Sequence, residues 1–411
     1  MTNTEYTDPI LAAPDVLILG AGPAGLLCAL TAAGRGRKVV VVEAADTAAR
    51  KLRASGGGRS NCTNTHLAPE SYLSADPRFT ARALARFSSS DFQTLISQWG
   101  LSAHEEEQGR MFCDQGATAL AEALETACRK SGVRILMNRT VKSVVPLVSG
   151  TTPGGFQVET SSGTLTAANV VLALGSPAWP ALGGSDIVAR LAGSLGLAHL
   201  PARPALTPFA FNGSILTLCR GLMGLGVTAS VSCLGKTYTD GLLFTHQGLS
   251  GPVALRISSH WRRGEALVID LAPGGDLRQS LRDPARGKAL ARTVMGTLMP
   301  RRLVEAVISL LPKEFAPAAE RRCAELSKAQ IEALATAVHG WRVFPASTAG
   351  MARAEAASGG LDTAQFSPKT FACRAIPGLF AVGEALDVAG DLGGFNLHWA
   401  WASGFSAGLA V

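Results

Sequence analysis

A chain of 411 residues, 47% hydrophobic and 17% charged, has material for two domains with sizeable cores and is too apolar for extensive disorder. The formal charge of +7 raises nucleic acid as a partner, but the basic residues are scattered, with pairs at Arg262-Arg263, Arg301-Arg302 and Arg321-Arg322 and no run of five. That scatter argues against nucleic acid and leaves an anionic cofactor or substrate to account for the balance.

The polar start MTNTEYTDP lacks a basic segment followed by an apolar run, so no leader is expected there. The eight cysteines contain no C-x-x-C or C-x₄-C pair, which argues against disulfide-reductase chemistry and against a zinc site. A reduced, cytoplasmic protein is expected. Residues 16–34 and 392–411 imitate membrane spans, but glycines and polar residues interrupt both, so no span is expected.

Residues 15–43, DVLILGAGPAGLLCALTAAGRGRKVVVVE, predict a strand (16–19), a turn, a helix (23–33) and a second strand (38–42) ending on an acid. Gly20, Gly22 and Gly25 stand at G-x-G-x-x-G spacing within GAGPAG. The first glycine lets the chain turn, the second lets backbone approach a pyrophosphate, and the third lets helix and strand pack closely. Pro23 opens the helix, whose N-terminus would face the phosphates. Glu43 would accept hydrogen bonds from a ribose diol and repel a 2′-phosphate, favouring FAD or NAD over NADP. With 45 glycines in the chain, such spacing arises by chance roughly once in two chains; the β run, the helix and the acid around it carry the signal.

The loop RKLRASGGGRSNCTN (50–64) follows. Its three consecutive glycines expose backbone amides able to wrap an anion or a planar ring. A flexible linker would not need Arg59, Asn61, Thr63 and Asn64. Helices are expected at 79–100 and 118–131, then short strands at 134–137, 140–145, 156–160 and 164–165 with a Gly/Pro turn at 150–155. The run NVVLALG (169–175) reads as a buried parallel strand, and a helix follows to about 195.

From 197 the texture becomes β, with strands at 206–211, 226–234 and 266–271, and from 276 it becomes helical, at 301–311 and 318–337. The last 60 residues return to strand and glycine: a strand ending at Gly383-Glu384, then Asp387, Gly393-Gly394 and a terminal helix. Two glycine-and-acid turns at opposite ends of the chain suit a long FAD held from both ends. A helix beginning at Gly394-Phe395-Asn396 would aim its positive end at the flavin N1 and C2 carbonyl, where charge accumulates on reduction.

These residues carry a family resemblance. GAGPAG (20–25), RKLRASGGGRSNCTN (50–64), ALGSPAWPALGGSD (173–186), GLLFTHQGLSGP (241–252) and GLFAVGEALDVAGDLGGFNLHWAWASG (378–404) resemble the YhiN/BaiN-type NAD(P)/FAD-dependent oxidoreductases, a flavoprotein family. The resemblance implies an α/β fold: a two-segment Rossmann-type, glutathione-reductase-like FAD domain (1–196 and 346–411) with an inserted β-then-α domain (197–345, β-rich to 275). It implies FAD contacts at Gly20, Gly22, Pro23, Ala24, Gly25, Glu43, Ala44, Arg50, Lys51, Gly57, Gly58, Arg59, Ser60, Asn61, Val141, Ala173 and Gly175. In the second segment it implies contacts at Gly383, Glu384, Asp387, Gly393, Gly394, Phe395, Asn396 and Leu397. The family loop usually reads GGGRCN, whereas Ser60 precedes Asn61 here and the cysteine is Cys62; His398 replaces the usual Gln.

The expected activity is hydride transfer between flavin N5 and NAD(P)H or an organic substrate. The alternatives are a flavin-dependent tRNA-modifying enzyme and a non-catalytic FAD-binding sensor. His246 and His398 are candidates for proton transfer. Arg59, Arg110 and Arg353 are candidates to grip an anionic small-molecule substrate. Cys62 is a candidate redox residue, and no metal is expected.

Overall fold

The computed structural model describes residues 14–149 and 152–411; the polar N-terminus and residues 150 and 151 of the expected turn lie outside the described residues. The chain divides into two compact units, Met1–Arg203 with Ala356–Val411, and Pro204–Glu355.

The first unit is built on β1 (Val16–Leu19), α1 (Pro23–Ala33), β2 (Val39–Val42), α2 (Arg50–Ala54), β3 (Asn61–Asn64), β4 (Arg110–Cys113), α3 (Gly116–Lys130), β5 (Arg134–Leu136), β6 (Asn169–Leu172), β7 (His199–Ala205), β8 (Ala356–Leu361), β9 (Leu379–Ala381) and α4 (Phe395–Gly408). Five strands form a parallel sheet in the order β9-β6-β1-β2-β5. All eight residues of β1 and β2 are buried, as expected for strands covered on both faces. α1 and α4 touch backbone to backbone: a Cβ at Gly404 would stand 2.3 Å from the Ala24 carbonyl oxygen. Only glycine at 404 permits that approach.

Local signals decide where several expected elements break. The helix expected at 79–100 is two helices, Ala81–Arg86 and Ser89–Ser97, because Ser88 and Asp91 form a capping box that starts a new helix. The helix expected from 318 begins at Lys328, behind a second capping box of Ser327 and Gln330.

The second unit is β then α. Its seven-stranded antiparallel sheet runs, in spatial order, 341–343, 267–270, 226–233, 236–244, 248–250, 209–210 and 347–348. Helices at Leu277–Arg282, Ala291–Met295, Arg301–Leu310 and Lys328–His339 share its core. The units meet in sequence at 203/204 and 355/356, later than the expected 196/197 and 345/346. The reason is β7 and β8, which pair as a two-stranded sheet and belong largely with the first unit.

Candidate functional site

The carboxyl ends of the parallel strands gather the glycine turns. Gly20 has φ +109, and a Cβ there would lie 2.3 Å from the Ala173 carbonyl oxygen, so the first turn is pressed against the end of β6. Gly25 is equally constrained, its would-be Cβ 2.1 Å from the Gly20 carbonyl oxygen. Gly22 differs: a side chain there would meet nothing within 4 Å, so this backbone faces open space at the N-terminus of α1. That helix has Pro23 in its first turn and no side-chain cap, leaving its first amides available to an anion.

Glu43 joins the turns. One carboxylate oxygen accepts from the Ala21 amide at 2.8 Å and the other from the Ala45 amide at 2.9 Å. A carboxylate has about four acceptor positions, so capacity remains for a diol. The Asn138 and Arg139 amides donate to the Ala45 and Glu43 carbonyls at 3.0 and 2.8 Å, which sets the start of the strand Val141–Ser149 beside exposed Ala44.

Lys51, on α2, reaches Glu384 at 2.8 Å, and the Ser176 hydroxyl donates to the same carboxylate oxygen at 3.1 Å. This ties α2, the turn after β6 and the turn after β9 together. Arg50 donates to the Ala181 carbonyl at 2.8 Å. Gly175 and Gly383 both hold positive φ, +71 and +63, and a Cβ on Gly383 would approach that of Ala24 to 2.9 Å. Ser176 is buried; the glycine-and-acid spacing does not single it out, although it stands within the 173–186 motif.

The glycine loop contributes the third wall. Gly57 and Gly58 have φ +64 and +91 with nothing within 4 Å of a would-be side chain. Arg59 ion-pairs with Glu106 and lies over the Phe112 ring at 4.1 Å. Ser60 Oγ and Asn61 Oδ1 are buried without a partner. Asn61 Oδ1 points at α4, standing 2.8 Å from where a Gly394 Cβ would be. Asn64 donates to the Gly393 carbonyl at 2.8 Å, fixing the loop that delivers Phe395, Asn396 and Leu397 to the first turn of α4.

These features fit a bound dinucleotide. Unfilled backbone lies at Gly22, Gly57 and Gly58, orphaned buried polar atoms lie at Ser60 and Asn61, and α1 and α4 both start without side-chain caps. Ser60, Asn61, Lys51, Glu384 and the turns 20–25 and 393–397 are the groups that would hold FAD.

Three of the expected site residues have side chains already engaged within the fold. Asp387 is 6% exposed and accepts from the Ala75 amide at 3.0 Å and the Gly359 amide at 2.8 Å; its carboxylate braces the fold. Asn396 exchanges two hydrogen bonds with Gly390, at 2.8 and 2.9 Å, closing the loop before α4. His398 is 0% exposed; Nδ1 pairs with the Thr63 hydroxyl at 2.8 Å and Nε2 with the Phe87 carbonyl at 2.9 Å. Because a carbonyl can only accept, Nε2 carries the proton and Nδ1 accepts from Thr63. Burial pulls its pKa down to about 4, so it is a neutral strut with no free position for proton exchange.

His246 is exposed in the 245–248 turn of the second unit, and Arg353 is exposed there as well. Arg110 donates to the Glu107 carbonyl at 2.9 Å. Cys62 is buried, its thiol pushed up to about 12 by burial and by neighbouring Cys113, which removes the thiolate that redox chemistry needs. Among the described residues no three His, Cys, Asp or Glu are grouped to hold a metal, and no helix is long and apolar enough to cross a membrane.

The HI0933-like protein Rossmann domain matches residues 14–410. The chain is 35% identical over 399 residues to a ribosomal RNA dihydrouridine synthase of Haemophilus influenzae, covering 96% of this chain and 98% of that protein. It is 29% identical over 420 residues to a 3-dehydro-bile acid delta(4,6)-reductase of Clostridium scindens, covering 96% and 98%. Among solved structures, the 3-ketosteroid delta1-dehydrogenase of Sterolibacterium denitrificans superimposes with a TM-score of 0.52 at 15% identity over 97% of this chain and 99% of that one, a likeness of fold. Matched along nearly its whole length, the chain belongs to the HI0933-like Rossmann family, the YhiN/BaiN-type group of FAD-dependent oxidoreductases.

Proposed function

We propose that this chain reduces a carbon–carbon double bond conjugated to a carbonyl, and that its substrate is a uridine of ribosomal RNA, converted to dihydrouridine. The observation that carries this reading is the 35% identity over 96% of the chain to a ribosomal RNA dihydrouridine synthase. The bile-acid relative, a delta(4,6)-reductase, is named for the same bond type, an alkene conjugated to an oxo group. In the proposed reaction, hydride adds to uracil C6, the carbon β to the C4 carbonyl, and a proton to C5.

When bound, FAD reduced by NADH or NADPH supplies the hydride. The chain's own residues hold and orient. The uncapped start of α1 and the open Gly22 backbone receive the pyrophosphate. Lys51 adds positive charge, restrained by Glu384 at 2.8 Å. Asn61 and Ser60 offer buried oxygens that find no partner among the described residues. The first turn of α4 favours negative charge at its N-terminus. Arg59, an exposed guanidinium at the rim, can exchange Glu106 for a substrate phosphate.

The test uses the purified, FAD-loaded protein with NADH or NADPH and ribosomal RNA from a strain lacking its own synthase. The RNA is digested and its nucleosides weighed. Uridine gaining two hydrogens at a defined site is the expected result. RNA left unchanged while a 3-oxo-Δ4,6 steroid reoxidises the reduced flavin would instead establish the second reading, a small-molecule enone reductase, which the Clostridium relative favours.

A further inference from the structure

Resting on the ribosomal RNA reading above, we infer that the helical half of the Pro204–Glu355 unit carries the surface that grips the RNA phosphate backbone. The charge of the molecule is divided unevenly. Pro204–Glu355 holds 18 Lys and Arg against 11 Asp and Glu, a net +7, while the rest of the chain holds 20 against 20. The whole formal charge therefore belongs to one unit. Concentrated like charge costs stability through self-repulsion and gains long-range attraction for a polyanion.

Tertiary pairing concentrates it further. Residues 287–291 run antiparallel to 321–324: the Ala291 amide donates to the Arg321 carbonyl at 2.9 Å, the Cys323 amide to the Ala289 carbonyl at 2.9 Å, and Leu290 bridges Arg322. Arg286, Lys288 and Arg292 are thereby set beside Arg321 and Arg322. Arg286 also lines, with Arg278 and Arg282, an open concavity of about 710 Å³.

Part of this surface is neutralised within the unit. Glu332 takes Arg278 and Arg282 at 2.8 and 3.3 Å, Asp283 takes Arg286 at 3.6 Å, and Glu320 takes Arg292 at 2.8 Å. These pairs are partly exposed, where such contacts contribute about 0–1 kcal/mol, so a phosphate can replace the carboxylate. Lys288, Arg321 and Arg322 are exposed, with no ion-pair partner among the described residues. An anionic membrane would want large apolar side chains beside the cations, and between 276 and 332 only Leu290 is an exposed large hydrophobic residue. The arrangement suits a hydrated phosphate backbone.

The test compares FAD-loaded wild type with the K288A/R321A/R322A variant. Binding to a fluorescent ribosomal RNA fragment is followed by anisotropy across a KCl series, and phosphatidylserine vesicles form a second arm. The variant should bind RNA on the order of 10-fold more weakly, with a salt dependence shallower by roughly 2 to 3, and should keep wild-type FAD content and unfolding midpoint. A charge-matched variant in the neutral unit, K130A/K142A/K369A, should bind as wild type. Unchanged affinity in the first variant, equal loss in the second, or vesicle binding in place of RNA binding would overturn the inference. The two readings fail separately. A wild type that makes dihydrouridine beside a variant that still binds tightly refutes only the surface, and lost RNA affinity without any dihydrouridine refutes only the reaction.

Discussion

The Thr63 hydroxyl donates to His398 Nδ1 at 2.8 Å inside a fully buried contact that pins β3 to the first turn of α4. The opposite ring nitrogen holds the Phe87 carbonyl at 2.9 Å, so one neutral imidazole joins three segments. Its folded pKa of about 4 lies below the ordinary 6.5 because burial disfavours the cation. The unfolded chain therefore binds more protons between those values. Stability is complete above pH 6.5 and declines as pH falls toward 4, by roughly 3 kcal/mol in all. Unfolding midpoints measured from pH 8 to pH 4 should show this acid arm. His398→Gln, which offers a donor and an acceptor but does not titrate, should flatten it; an unchanged arm in that variant would assign the loss to other groups.

Two glycines of the cradle should respond in opposite ways. Gly22 has φ −75 and ψ 174, with nothing within 4 Å of a would-be Cβ. Gly22→Ala should leave the FAD-free protein's unfolding midpoint unchanged while lowering FAD affinity on the order of 10-fold or more, because the methyl occupies the pyrophosphate approach. Gly394 has φ +93, and a methyl there would stand 2.3 Å from the Thr63 carbonyl oxygen. Gly394→Ala should lower the midpoint or prevent folding before any cofactor is added. Equal midpoints for the two variants would contradict the assignment.

Lys51 and Glu384 stand 2.8 Å apart with side chains 25% and 16% exposed, partly withdrawn from solvent screening. A double-mutant cycle with Lys51→Ala and Glu384→Ala, read by urea unfolding without FAD, should give a coupling of about 1 kcal/mol. The single Glu384 variant should be the more destabilised because Ser176 also loses its acceptor, held at 3.1 Å. Additive losses would show that the two side chains act independently.

All eight cysteines are buried, and burial pushes the thiols of Cys28, Cys62, Cys128 and Cys219 up to about 12. Native protein at pH 8 should leave an aromatic disulfide reagent unreacted over minutes, and guanidinium should release all eight thiols. Fast reaction of one thiol in the native state, lost in Cys62→Ser, would restore a redox role to Cys62.

The parts of the fold with local causes were legible in the sequence. β1 and β2 announce themselves as apolar β-branched runs, and Gly20 and Gly25 mark a turn whose close backbone contacts only glycine permits, with Gly22 open between them. The expected helices at 79–100 and 318–337 ran through two local stop signals, Ser88 with Asp91 and Ser327 with Gln330, each at capping-box spacing. What could not be read were roles set by distant partners. The Asp387 carboxylate follows a glycine turn, and its bond to the Ala75 amide, 312 residues away, is invisible in the local sequence. His398 looks like an acid–base group until Thr63, 335 residues away, and Phe87, 311 residues away, take both nitrogens. The basic residues scatter along the sequence, and Lys288 and Arg321 become neighbours only when 287–291 pairs with 321–324.

The pairing of β7 with β8 means that the chain leaves the nucleotide-holding unit and returns to it on adjacent strands. A Cβ at Gly359 would stand 2.5 Å from the Pro201 carbonyl oxygen, so the exit and the entrance are in backbone contact. An insertion with such closely spaced ends is a replaceable cassette: it can be lengthened, exchanged or recharged without disturbing the five-stranded sheet.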